Sequence, residues 1–266
     1  MGFRDLLDTF ATIYAGLKYG LPAVFRAVVA SPALLLDPAA LSRVSMAGIW
    51  VFFGPGGDGG RRAEKTQLIT PNARGVVLDL GAGHGHTVNY LDRNLVTKYI
   101  ALEPNTLMHS YIRAMAAAAG YTESDGTLLI LSCGAEDTPS ILSSLNGKPV
   151  DTVVSVLTFC TIPFPQQTIR SIVLDLLASN GGELLFFEHV QHGRDQPNAA
   201  WWQGALTPLW KRVFDGCCLN RPTHTWVKDV VGDDGQTPWR QGEMWGVGNE
   251  SESDLFWIRM GRFVKK

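Results

Sequence analysis

Val76-Val77-Leu78-Asp79-Leu80-Gly81-Ala82-Gly83-His84-Gly85-His86 is the stretch on which the fold turns. Residues 76–80 form a short apolar run broken only by Asp79, and glycines follow on alternate positions at 81, 83 and 85. That order predicts a buried parallel strand, a tight turn, and a helix over 86–91. Glycine belongs where the backbone takes positive φ or where a ligand must approach it closely. A helix start behind such a turn offers unpaired N–H groups. Strand, glycine turn and helix together imply a nucleotide-type pocket.

Working outward, the chain alternates in the same manner. Lys98-Tyr99-Ile100-Ala101-Leu102 predicts a second strand, ending at Glu103-Pro104-Asn105. An alanine-rich helix over 106–119 is stopped by Gly120. A third strand at 128–131 runs into Cys133-Gly134-Ala135-Glu136-Asp137. A fourth strand at 151–157, a helix at 166–177 and a fifth strand at 183–187 complete the alternation. Short apolar strands between helices indicate an α/β chain, with a doubly wound and mostly parallel sheet. After Glu188 the pattern changes to a Trp-rich helix over 199–214 and a helix over 223–231. A polar loop at 233–237 and two late strands, near 243–247 and 256–264, follow.

Upstream of the turn the composition differs. Residues 6–17 carry apolar side chains at helical spacing, and 21–36 is a denser apolar run interrupted by Pro22, Arg26 and Pro32. That run is about four residues short of the ~20 needed to cross a bilayer. Residues 1–20 show no signal-peptide cleavage pattern. Two readings stay open for this segment: a helical lid on the core, or an interfacial segment on a membrane surface across 21–53, helped by Ile49-Trp50-Val51-Phe52-Phe53. Gly54-Pro55-Gly56-Gly57-Asp58-Gly59-Gly60 reads as a flexible turn or linker. It divides the chain into an N-terminal helical extension (1–60) and a main domain (61–266).

Composition narrows the function. The 266 residues are 45% apolar, enough for a large core, and the net charge of −2 is interspersed, so nucleic acid is not an expected partner. The four cysteines, Cys133, Cys160, Cys217 and Cys218, form no CxxC, which suits free thiols in a reducing compartment. The expected location is therefore intracellular, in the cytoplasm or on the cytosolic face of an internal membrane. No metal is expected: His189 and His192 lie three apart but lack a third ligand in sequence.

The glycine spacing is not that of a dinucleotide binder, which wants its third glycine three residues after the second; here that position is His86. Glu103, 20 residues beyond Gly83, lies at the carboxyl end of the next strand, where a carboxylate can accept both ribose hydroxyls of a nucleoside. Asp79, Gly81, Gly83, Gly85 and Glu103 together resemble the class I S-adenosylmethionine-dependent methyltransferases. That resemblance covers about residues 74–221. It implies a Rossmann-like seven-stranded sheet with the last strand inserted antiparallel, and S-adenosylmethionine as cofactor. Ala82 and Pro104 flank the motif positions, Ala135 and Glu136 fall beside the expected adenine, and Leu157 and Thr158 line the floor.

Beyond the fifth strand, Phe187-Glu188-His189-Val190, Trp202-Gln203 and Phe214-Asp215-Gly216-Cys217-Cys218-Leu219 resemble the membrane-associated small-molecule thiol methyltransferases. The resemblance implies a small apolar acceptor, methylated on sulfur in preference to oxygen or nitrogen, and Asp215 and Cys217 in its pocket. Cys160 and Trp202 are further candidates for that wall. His189 is the best-placed base, and Glu188 either orients it or holds the substrate. A base matters only when the acceptor arrives protonated, and a thiol is already partly ionised near neutrality. The rival expectation is a methyltransferase-fold protein that guides a cyclisation or rearrangement of a small metabolite with little or no methyl transfer.

Overall fold

The computed structural model describes residues 3–193, 195–248, 250–251 and 254–266. Five parallel strands form first: β1 (Gly75–Leu80), β2 (Val96–Leu102), β3 (Leu128–Leu131), β4 (Thr152–Val156) and β5 (Glu183–His189). Two late strands, β6 (Trp239–Gly246) and β7 (Ile258–Lys265), extend the sheet to the order β3-β2-β1-β4-β5-β7-β6. β7 is antiparallel to both of its neighbours, so it is the one reversed strand. The expected α/β sheet with an antiparallel insertion is therefore present. The order reverses between β1 and β4, and in open α/β sheets ligands bind outside the carboxyl ends of strands at such a switch point.

Strand alternation builds two cores. Leu78, Leu80, Ile100, Val153, Leu184 and Phe186 face one layer, while Val77, Tyr99, Ala101, Val154, Leu185 and Phe187 face the other. Both layers are dry, which is why these strands read as near-continuous apolar runs. The helices are α1 (Phe3–Ala30), α2 (Pro38–Gly60), α3 (Arg62–Ile69), α4 (His109–Ala118), α5 (Thr138–Ser144), α6 (Pro165–Ser171), α7 (Pro197–Val213) and α8 (Thr223–Lys228). The segment after the glycine turn is a 3-10 helix, His86–Tyr90, rather than an α-helix. The helix expected over 166–177 divides into α6 and a π-turn at Ile172–Leu176.

Two expectations need correction. The first is the glycine-rich linker: residues 54–60 form the last two turns of α2. They are pinned because Asp58, nearly fully buried, accepts from Lys65 Nζ at 2.6 Å and from the Tyr90 hydroxyl at 2.5 Å. Burial tends to raise the Asp58 pKa, yet the Lys65 and Tyr90 hydrogen bonds outweigh it and leave the carboxylate below its ordinary value. A buried charge with two good partners fixes a helix end that local propensity alone would let fray. The second is β5, which continues two residues past Phe187, because β7 pairs opposite Glu188 and His189. His189 is thus the last residue of a strand, not the first of a connection.

The extension packs rather than dangles. Ile13 of α1 and Ile49 of α2 share a third apolar cluster with Leu206, Trp210 and Val213 of α7 and with Phe214. The division expected between residues 60 and 61 falls in the joint between α2 and α3.

Candidate active site

A cavity of about 360 Å³ opens at the carboxyl ends of β1, β2, β3 and β4. The glycine turn forms its first wall. Gly81 and Gly83 line it, and φ at 81, 83 and 85 is +60°, +57° and +83°. A Cβ at Gly83 would lie 2.6 Å from Trp50 Nε1, and one at Gly81 would lie 2.6 Å from Thr158 Oγ1. Side chains are excluded at these two positions by both conformation and space. Gly85 does not reach the cavity; it caps the 3-10 helix and lies against Ile112 of α4. Ala82 lines a smaller adjoining cavity of about 60 Å³. Asp79 reaches neither cavity: it is buried beneath the turn and accepts from Thr87 Oγ1 at 3.0 Å and Tyr99 OH at 2.7 Å. Burial pushes its pKa to about 7 despite those two donors.

Glu103 ties the second wall to the first. Its Oε2 accepts from Gly83 N and its Oε1 from Asn105 N, both at 2.8 Å. Burial raises this carboxyl to about 7, although the two amides pull it down. One lone pair on each oxygen remains free on the cavity side, the arrangement that accepts a vicinal diol. Pro104, Asn105 and Met108 continue this wall, and Ala135 and Glu136 stand opposite them after β3.

The floor is the turn after β4. Leu157 holds φ +55°, a rare conformation for a branched apolar residue. Glu188 stabilises it from below: its Oε1 accepts from Ser155 Oγ at 2.7 Å, Thr158 N at 2.8 Å and Phe159 N at 3.1 Å. Glu188 is fully buried and does not line the cavity, so the structure makes it a support for the floor in place of an orienting partner for His189. The rest of the lining is largely apolar, with Met46 of α2, Ile162, Pro163 and Phe214, while Trp50 of α2 lies against the glycine turn. Asp215 also lines the cavity and accepts from Ser42 Oγ.

The other residues expected near the acceptor lie behind that wall. Trp202 packs edge-on to Trp201 at 4.9 Å within the third apolar cluster and does not reach the cavity. Cys160, His189 and Cys217 come together instead, although no sequence spacing joins them. Cys217 Sγ lies 3.4 Å from Cys160 Sγ and 3.3 Å from His189 Nε2. The Cys160 thiol is held well above its ordinary pKa by the Cys217 sulfur and by burial. His189 is pushed down by burial but up, on balance, by Cys160 and Glu188. His189 is buried and does not line the cavity, so it cannot reach an acceptor there directly.

A methyltransferase-domain family model matches residues 60–223. The chain belongs to the methyltransferase-domain family. Its glycine and acidic motifs anticipate that membership, and S-adenosylmethionine as the cofactor. Among curated proteins it is 27% identical over 159 residues to human thiol S-methyltransferase TMT1B, covering 59% of each chain. It is 36% identical over 72 residues to human thiol S-methyltransferase TMT1A, covering 27% of this chain and 28% of that one. The chain thus spans no more than about three fifths of the length of these relatives. A solved O-methyltransferase family protein from Burkholderia thailandensis shares the fold with a TM-score of 0.56 at 16% identity, over 85% of this chain and 60% of that one.

The residues present suit this cofactor. The cavity combines a side-chain-free cradle, a diol-accepting carboxylate and a deep apolar end. Trp50 Nε1 and His86 Nε2 are buried beside the turn without a hydrogen-bond partner, as donors kept for a ligand would be. Sequence reasoning missed Met46, Trp50, Asn105, Met108 and Phe214. For Trp50 a signal existed, since an aromatic run just upstream of the core has to pack on something.

Proposed function

We propose that the enzyme methylates a small apolar acceptor on sulfur, using the cavity between the glycine turn and Phe214. The observation that carries this is the lining of one cavity, which joins a polar cradle centred on Glu103 to the apolar side chains of Met46, Ile162, Pro163 and Phe214. The cofactor supplies an activated methyl on a sulfonium. Gly81, Gly83, Glu103 and Pro104 hold its nucleoside and methionine parts, Ala135 and Glu136 flank the adenine, and Leu157 and Thr158 support it from the floor. Asp79 and Gly85 act through the turn's shape. Methyl transfer then needs alignment of nucleophile, carbon and leaving sulfur with water kept out, which apolar walls provide. The preference for sulfur rests on the resemblance of residues 187–190 and 214–219 to thiol methyltransferases and on the two curated relatives. Incubation with S-adenosylmethionine and matched lipophilic thiols, phenols and amines tests it. Thiol products heavier by one methyl in place of hydrogen, with equimolar S-adenosylhomocysteine, are expected. Turnover of phenols or amines alone overturns the sulfur assignment, and product without S-adenosylhomocysteine favours a rearrangement.

Residues 3–60 complete this reading as a roof over the acceptor end and a membrane-surface contact. Leu7, Phe10, Tyr14, Leu17, Leu21, Phe25 and Val29 of α1 are exposed at three- and four-residue spacing, and Leu35 and Leu36 extend the strip. Lys18 and Arg26 are exposed on the same helix. Among the described residues no helix is long and apolar enough to cross a membrane. An apolar stripe beside cations suits a helix lying in an anionic lipid interface, where an apolar acceptor also partitions. The strip begins well before residue 21 and runs to Leu36, so it is offset toward the N-terminus from the 21–53 segment. Flotation with anionic vesicles is expected for the intact chain and lost in Phe25→Ser/Leu36→Ser; a variant that floats equally well refutes the lipid contact.

A further inference from the structure

Behind the acceptor wall, three separated segments deliver Cys160, His189 and Cys217 to one point. Their ligating atoms all lie within 4.8 Å of one another, and no other such cluster occurs among the described residues. Cys160 and His189 are buried, and Cys217 is half-buried. Such a grouping has a bland explanation, sulfur and imidazole packed as small apolar groups with weak hydrogen bonds. Two features go beyond it. The donor set is two thiols and one imidazole nitrogen, the Cys2His set that zinc uses in open sites with a fourth position for water or substrate. The neighbours in sequence of these residues also form the acceptor wall: Thr161 and Ile162 follow Cys160, and Phe214 and Asp215 precede Cys217.

The dimensions agree. Bonds of about 2.3 Å to sulfur and 2.0 Å to nitrogen at a tetrahedral angle place the donors about 3.5–3.8 Å apart. Cys217 Sγ stands 3.4 Å from Cys160 Sγ and 3.3 Å from His189 Nε2, so those two spacings need to open by only a few tenths of an ångström, and the third pair lies within 4.8 Å. Cys217, the only one of the three that is not buried, sits in the turn that carries Asp215 into the cavity. The His189 Nδ1 atom has no hydrogen-bond partner, and its ring packs edge-to-face with Phe256, centroids 5.3 Å apart.

We propose that Cys160, His189 and Cys217 bind one zinc ion whose fourth position, reached from the acceptor end of the cavity, takes the sulfur of the thiol substrate. The proposal rests on the thiol reading of the acceptor and explains how that acceptor is ionised. Coordination releases the S–H proton to solvent and leaves a thiolate on the metal. The thiolate sulfur forms the new S–CH3 bond as the sulfonium S–CH3 bond breaks, giving thioether and S-adenosylhomocysteine, with one proton released overall. No side-chain base then has to touch the substrate, which fits the burial of His189 and Glu188.

The test uses the full chain, kept reduced with a phosphine and given zinc or cobalt(II) in slight excess before gel filtration. One zinc per chain is expected. With cobalt, thiolate charge-transfer absorption and tetrahedral ligand-field bands are expected, and they shift when a lipophilic thiol is added. Cys160→Ala and Cys217→Ala weaken metal binding about tenfold or more while retaining S-adenosylmethionine binding by calorimetry. Cys133→Ala and Cys218→Ala retain both. Absence of bound metal in the reduced wild type, or full retention in Cys160→Ala/Cys217→Ala, overturns the site. A cobalt spectrum unmoved by thiol overturns the substrate position. A spectrum that moves, without methylated thiol, supports the site and sinks the thiol-transferase reading instead.

Discussion

The two ends of the cavity are built in opposite ways. The cradle comes from one continuous stretch and its next strand: Gly81 and Gly83 lie within the β1 turn, and Glu103 reaches back from β2 to accept from Gly83 N. The acceptor end is assembled from Met46 of α2, Ile162 and Pro163 after β4, and Phe214 and Asp215 after α7. A site made of local geometry tolerates little change but needs few parts. One made of distant segments is adjusted piece by piece, which suits the half that must distinguish acceptors.

The sharpest way to break this contrast is Glu103→Ala. It removes the proposed diol acceptor and strands two buried amides, Gly83 N and Asn105 N, at a cost of about 1–3 kcal/mol each. S-Adenosylmethionine affinity, read by calorimetry, is expected to fall about 100-fold or more, with vesicle binding unchanged. If affinity stays within a few-fold, the cradle is not centred on Glu103. Proton titration sharpens the same point. With Glu103 raised to about 7, only its ionised form accepts from two hydroxyls, so cofactor affinity should rise about tenfold from pH 6 to pH 8. Stability runs the other way. Asp79 and Glu103 keep protons in the folded state that the unfolded chain releases between about pH 4 and pH 7, so unfolding free energy falls across that window and levels above it. An affinity flat with pH would place the cofactor's contacts elsewhere.

The floor shared by both ends gives a third test. Glu188→Ala removes the acceptor for three donors under Leu157, whose positive φ depends on that support. A loss of about 2–4 kcal/mol in urea unfolding and a drop in turnover are expected. Glu188→Gln keeps a carbonyl oxygen for those donors and should recover most of the stability. Equal damage from both variants would mean that charge, not support, is what Glu188 supplies.

The same contrast explains what could be read in advance. β1 to β5, the glycine turn and Glu103 were legible because each follows from short-range rules: strand period, positive-φ glycines, a carboxylate at a strand end. Residues 54–60 misled because glycine-rich composition speaks for mobility, whereas Asp58 is pinned by Lys65, seven residues on, and by Tyr90, 32 residues on. The last two residues of β5 were hidden because their partner, β7, lies some 70 residues away. The Cys160–His189–Cys217 cluster was invisible for the same reason: α6 and most of β5 separate Cys160 from His189, α7 separates His189 from Cys217, and only the tertiary fold brings them together.

The smallest expected effects divide the acceptor end itself. Met46 lines the cavity, whereas Trp202, expected from sequence to do so, packs behind it against Trp201. Met46→Ala removes apolar contact from the pocket and should raise the acceptor KM by about tenfold, with cofactor affinity unchanged. Trp202→Phe keeps an aromatic ring in the third cluster, so its cost should appear as about 1 kcal/mol of stability and its acceptor KM should move by less than about twofold. If Trp202→Phe shifts KM as much as Met46→Ala does, the Trp-rich face of α7 belongs to the pocket, and the acceptor is longer than the cavity beneath Phe214.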